Sequence, residues 1–184
     1  MKIIFFLFFI FCSFAFGQRA VFFKEDITFR LDGVHLDVEG YYWFSNNSIN
    51  SVSADIFYPF PSAFGDKIDS IRIYNISKGE RPRYTLHNHD GISFYLFLPP
   101  HDTVLFQIGY RQKLNGDSAA YLLQTTQAWG RPLVRAEYKL LVPESFNIKR
   151  FSYPPGKSYE IQGEKIYYWE MNNFMPTRDM VFCF

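Results

Sequence analysis

Cysteine is nearly absent from this chain. Only Cys12 and Cys183 occur, and Cys12 falls in a leader expected to be removed, so no disulfide can form within what remains and burial must hold the fold. Charge clusters are missing as well. Lys and Arg number 19 against 18 Asp and Glu, with no basic run, which argues against a nucleic-acid partner because phosphate neutralisation needs grouped cations. No window of 11 or more residues carries a helical stripe. No G-x-S-x-G elbow, G-x-x-x-x-G-K phosphate loop or D-x-D-x-D-G calcium loop is present, so serine hydrolysis, nucleotide cradling and EF-hand calcium binding lose their usual signatures, and no cofactor is expected.

What is present begins with "MKIIFFLFFIFCSFAFGQR". Lys2 precedes an apolar run from Ile3 to about Phe14, and the small residues Ala15 and Gly17 stand two apart ahead of a cut, which is the layout of a secretory signal peptide over residues 1–17. The run is too short for a membrane-spanning helix, and no later segment is long enough without charges. Lipidation at Cys12 is disfavoured by the bulky Phe9, Ile10 and Phe11 before it. The expectation is an exported protein, periplasmic or extracellular, whose residues 18–184 form one domain. A single remaining cysteine in an oxidising compartment suits a bacterial envelope better than a eukaryotic secretory route. Two sequons, Asn46–Ser48 and Asn75–Ser77, would matter only in the latter.

Beyond the leader the pattern has period two. In "ITFRL" Ile27, Phe29 and Leu31 alternate with polar residues; in "VHLDVEGYYWF" Val34, Leu36 and Val38 do the same. About a dozen short runs follow, from "SVSADIFYPF" to "DMVFCF", separated by turns such as "KGERP", "LNGD" and "QGE" that carry Gly, Pro, Asn or Asp. One helical turn could sit in "SAFGDKID" or "TTQAWG". The content of 22 Phe, 13 Tyr and 3 Trp supplies large rings for a pleated core. The fold class is therefore all-β: a single antiparallel β-sandwich, immunoglobulin-like or a related two-sheet architecture. Strands apolar on both faces, such as "VLFQI", are expected to be central or covered.

Three of the four histidines lie in "YTLHNHDGISFYLFLPPHD". On a strand His87 and His89 would share a face with Asp90 nearby, the beginning of a metal site, but a third and fourth ligand are not apparent. Asp90-Gly91 between two strand patterns signals a hairpin turn instead, and the turn is preferred. Cys183, flanked by phenylalanines, reads as a small buried hydrophobe rather than a nucleophile. Tyr41, Trp43, Trp129 and Arg131 form the candidate interaction surface, because exposed Tyr and Trp anchor partners and stack on sugars. The competing and favoured reading makes Trp43 and Trp129 core rings.

The closing "DMVFCF" has the terminal aromatic of an outer-membrane β-barrel, but strands of 5 to 8 residues interrupted by prolines are short for a membrane. In order, "EGYYWFSNNS", "ADIFYPFP", "IGYRQKL", "AWGRPLVRAEYKLLVP" and "NNFMPTRD" resemble exported bacterial β-sandwich proteins of uncharacterised function. The resemblance runs from about Glu25 to Phe184 and implies an exported β domain, with no catalytic residue to carry over. The expected role is a non-catalytic binding or assembly module of the bacterial envelope with a protein or glycan partner. A glycan-active or metal-dependent secreted enzyme and a small outer-membrane barrel are the alternatives.

Overall fold

The computed structural model describes residues 20–61, 67–88 and 90–184. The leader, its cleavage site and Cys12 lie outside the described residues, as do His89 and most of "SAFGDKID".

Among the described residues the alternating runs become thirteen strands: β1 (Val21–Leu31), β2 (His35–Ser45), β3 (Val52–Pro59), β4 (Lys67–Asn75), β5 (Tyr84–His87), β6 (Gly91–Leu98), β7 (Thr103–Lys113), β8 (Ser118–Tyr121), β9 (Leu133–Pro143), β10 (Arg150–Phe151), β11 (Lys157–Ile161), β12 (Glu164–Phe174) and β13 (Met180–Cys183). A 3-10 helix, Gln124–Trp129, follows β8 and occupies the "TTQAWG" stretch. It starts where Asp179 Oδ1 accepts the backbone N–H groups of Leu123 and Gln124, both at 2.9 Å. It ends at Gly130, whose φ of 66° is the left-handed conformation that closes helices.

The fold is an all-β sandwich. One layer is a seven-stranded sheet in the order β11-β12-β9-β1-β2-β7-β4; the other is split into two three-stranded sheets, β3-β6-β5 and β10-β13-β8. Two features depart from the expectation. β1 pairs with β9 in parallel, so the large sheet is mixed, whereas side-chain alternation reports faces and says nothing of direction. Strands β1, β2, β7, β9 and β12 each have 11 residues, longer than the turn spacing implied. The large sheet ends at β11 and β4 rather than closing on itself, and its inner face is covered by the small sheets.

Local chemistry sets the turns. Between β1 and β2 the Asp32 carboxylate accepts the N–H groups of Val34 and His35 at 2.8 and 2.6 Å, and Gly33 between them has φ +91°, a region that needs glycine. The core lies between the layers and is largely aromatic. Phe29 of β1 meets Tyr121 and Phe182 of the β10-β13-β8 sheet at 5.3 Å between ring centroids. Phe106 of β7 meets Phe94 of β6 at 5.1 Å. Trp169 of β12 is 1% exposed and donates its indole N–H to Tyr153 O at 2.9 Å. Such ring pairs add stabilisation beyond the area they bury.

Both sequon asparagines are structural. Asn46 is buried and donates to Asn50 O, Leu98 O and Pro99 O, tying the β2–β3 loop to the β6–β7 turn. Asn75 is buried too, and its side chain accepts the N–H of Lys78.

Candidate functional site

On β2, Tyr42 and Phe44 point into the core while Tyr41 and Trp43 lie half-buried on the outer face of the large sheet. Trp43 is therefore not a core ring. Its neighbours are Tyr41, with centroids 6.4 Å apart, and the Lys24 ammonium, 4.2 Å from the ring centre, a cation–π contact. The surrounding face is laid with ion pairs, Arg135 with Glu137 along β9 and, across strands, Arg135 with Glu170, Lys139 with Asp26 and Arg111 with Asp37. Trp129 is on the other side of the sheet, half-buried against Phe22 at 5.8 Å and Phe44 at 5.5 Å. Arg131 is exposed on the rim of a shallow depression of about 440 Å³ lined by Val21, Phe23, Ser45, Pro132 and Val134. The four residues expected to form an interaction surface are thus divided, with Tyr41 and Trp43 in ring contact on the outer face of the large sheet and Trp129 packed on its other side.

The histidine stretch is a hairpin, with His87 paired to Gly91 across the β5–β6 turn and the N–H of Asp90 bonded to His87 O at 2.9 Å. Among the described residues of the turn Asn88 is left-handed, at φ 51°. His87 Nε2 is 2.8 Å from Ser93 Oγ, and the imidazole stands edge-on to Phe57 at 5.6 Å. Among the described residues no group of three or more His, Cys, Asp or Glu side chains is placed to hold a metal ion, and His89 is not among them. Cys183 is not in the core: it is half-buried, and the Arg150 guanidinium donates to its sulfur at 3.5 Å.

Two features escaped the sequence reading. The first is the outer face of β3-β6-β5, where Phe57, Tyr95 and Phe97 are 41%, 58% and 38% exposed. The register sets each ring opposite a polar residue: Phe57 faces Ser93, Tyr95 faces Asp55, and Phe97 faces Ser53. β6 is apolar on its inner face as well, through Ile92, Phe94, Leu96 and Leu98. It was legible in "ISFYLFL" as a strand with rings on both faces, yet here the outer rings meet only single side chains, the Lys78 ammonium 5.3 Å from the centre of Phe97 and the His87 imidazole 5.6 Å from Phe57.

The second is a polar cluster inside the core. A bulge at Phe23 shifts the β1–β2 register between Phe22 and Lys24, and Glu25 turns inward beside Tyr42, its cross-strand partner. Glu25 is 2% exposed and accepts a hydrogen bond from the Tyr138 hydroxyl. Tyr42 OH is 2.8 Å from Tyr58 OH and 3.0 Å from Tyr121 OH. Burial pushes the Glu25 carboxyl up to about 7, only partly offset by the Tyr138 hydrogen bond, and burial raises the tyrosine hydroxyls well above the usual phenol range. The cluster lies between the layers, with Tyr58 half-buried at its margin.

No protein-family model matches this chain, and no curated protein sequence does. Among solved structures, a candidate nutrient-binding protein of Legionella pneumophila superposes with a TM-score of 0.71 at 13% identity, over 89% of this chain and 66% of its own. The M1 zinc metallopeptidase of Deinococcus radiodurans superposes with a TM-score of 0.52 at 12% identity, over 89% of this chain and 42% of its own. This chain therefore spans less than two thirds of the first and under half of the second. None of its four histidines is followed by Glu, so the H-E-x-x-H pattern of helix-borne zinc sites is not in the sequence. At these identities the likeness establishes the fold alone: a two-layer β architecture that also occurs as part of longer chains.

Proposed function

We propose that this protein is an exported, non-catalytic binding or assembly module of the bacterial envelope, and that it meets a protein or glycan partner through the outer face of β3-β6-β5. The observation that carries this reading is the set of exposed rings Phe57, Tyr95 and Phe97 on one sheet face. Large rings left in water on adjacent strands forgo roughly 25 cal/mol for each Å² they could bury, and grouped exposed apolar surface is characteristic of interaction sites. The polar residues opposite each ring supply hydrogen-bonding groups between the apolar contacts. Among the described residues no helix is long and apolar enough to cross a membrane.

A photo-crosslinking amino acid at position 95, introduced into the exported protein in its own envelope, tests the reading against the same residue at position 159, exposed on β11 at the edge of the other layer. Adducts at 95 and not at 159 are expected, with slower migration through gels containing envelope polysaccharide if the partner is a glycan. Equal adducts at both positions, or neither adducts nor retardation, would remove the proposal.

A further inference from the structure

The outer layer of the sandwich is discontinuous. β3 and β8 belong to different sheets and share no backbone ladder, yet Tyr58 of β3 and Tyr121 of β8 both reach the Tyr42 hydroxyl of β2. Hydroxyl contacts stand at this seam where a sheet would have a row of backbone hydrogen bonds. Glu25 lies directly beside Tyr42 on the neighbouring strand and is held by Tyr138 of β9, so one carboxyl adjoins the junction of all three sheets.

We infer that the Glu25–Tyr42–Tyr58–Tyr121–Tyr138 cluster is a proton-controlled latch that holds the two small sheets on the large one while Glu25 is neutral and loosens the seam when it ionises.

The surroundings of the carboxyl support this. The titratable groups that interact with it or with its partners are Tyr138 on β9, Tyr42 on β2, Tyr58 on β3, Tyr110 on β7 and Tyr121 on β8, with Tyr153 acting on Tyr138. Burial keeps the hydroxyls of Tyr42, Tyr58, Tyr110, Tyr121 and Tyr138 protonated, and no cation is among these groups. A carboxylate formed there has the Tyr138 hydroxyl to answer it and loses its hydration, a combination that favours the neutral form or the admission of water. Water reaches it at least disruption where no ladder must be broken, between β3 and β8.

The direction of the pH effect follows. An unfolded glutamate ionises near 4.5, whereas the folded carboxyl holds its proton to about 7. Between those values the folded state binds a proton that the unfolded chain has released, so the contribution is complete below 4.5, declines through the window and is lost above about 7. The separation corresponds to a folded-to-unfolded ratio lowered ~300-fold.

The test compares wild type with Glu25→Gln, which keeps the shape and removes the titration, by urea unfolding at intervals from about pH 4.5 to pH 8 and by amide exchange corrected to protection factors. The expected result is that the wild-type ratio falls relative to the variant by a factor on the order of 100 or more across the window. Protection of β3 and β8 should fall before that of β1, β2 and β9. A wild-type-to-variant ratio independent of pH overturns the inference, and so does protection lost evenly from every strand, which would indicate a stability effect with no latch. If Glu25→Gln does not fold, Tyr138→Phe serves, since losing the donor that favours the ionised form must move the wild-type transition to higher pH. An unmoved transition also overturns the inference.

Discussion

Gly40→Ala is a small change with a large expected cost. Gly40 sits on the inner face of β2, paired with Ile27 of β1 and Ile108 of β7, and its backbone does not need glycine's left-handed freedom. It needs the missing Cβ, because the phenol of Tyr42 folds back over it: an added Cβ would overlap the hydroxyl oxygen and lie 2.5 Å from Cζ and 2.7 Å from Cε2. The ring is confined by Phe22 and Tyr58, at 6.1 and 5.5 Å, and cannot move without leaving the Tyr58 and Tyr121 hydroxyls. Overpacking of a confined core site costs about 1–3 kcal/mol, and two displaced hydrogen bonds add about 1 kcal/mol each. The sum is roughly 3–5 kcal/mol, a melting temperature lower by roughly 10 °C in a domain of this size. Urea unfolding followed by circular dichroism should be run on Gly40→Ala, Tyr42→Ala and the double variant. In the Tyr42→Ala background the obstructing ring is gone, and Gly40→Ala should then cost less than about 1 kcal/mol, leaving a coupling of 2 kcal/mol or more. Equal cost in both backgrounds would refute the steric account, and so would a single variant within about 0.5 kcal/mol of wild type.

Asn46→Ala should lose about 2–4 kcal/mol in the same assay, because it strands the carbonyls of Leu98 and Pro99 that its amide serves. Trp169→Ala, at a core position, should lose about 3–5 kcal/mol, whereas Trp43→Ala on the outer face should lose about 1 kcal/mol, mostly its contact with Lys24; similar losses for both would put Trp43 back in the core. Arg135→Ala should leave the unfolding midpoint unchanged at about 0.15 M salt, since the guanidinium itself is exposed and its attraction to Glu137 and Glu170 is screened.

Strand location was legible because one face of most strands is buried, and burial writes a period of two into the residues. In β2 the positions Leu36, Val38, Tyr42 and Phe44 follow it without a break. Strand direction was not legible, since the parallel pairing of β1 with β9 joins Ile27 to Tyr138 and neither residue type records the orientation of its partner. Glu25 shows a different limit. Its spacing from Ile27, Phe29 and Leu31 already put it on the inner face, but a carboxyl in that pattern reads as the end of burial unless its donor is known, and Tyr138 is far along the chain. The turn at Asp90-Gly91 was identified in place, with Asn88 left-handed. The exposed rings of β6 were missed for a simpler reason. A strand apolar on both faces implies a cover, and the sequence does not say whether the cover belongs to the same molecule.

The position of β1 governs the order in which this molecule can be assembled. The earliest of the described strands lies near the middle of the large sheet, with β2 on one side and β9 on the other. The hairpin with β2 can form at once, but the opposite flank must wait for Leu133–Pro143, and the side chains meant for the interior stay wet until then. Contacts this distant along the chain slow the approach to the native state, and an unsatisfied flank in the meantime invites the wrong neighbour. A polypeptide built this way completes its central pairing late, and its yield depends on how well the open flank of β1 is shielded until β9 arrives.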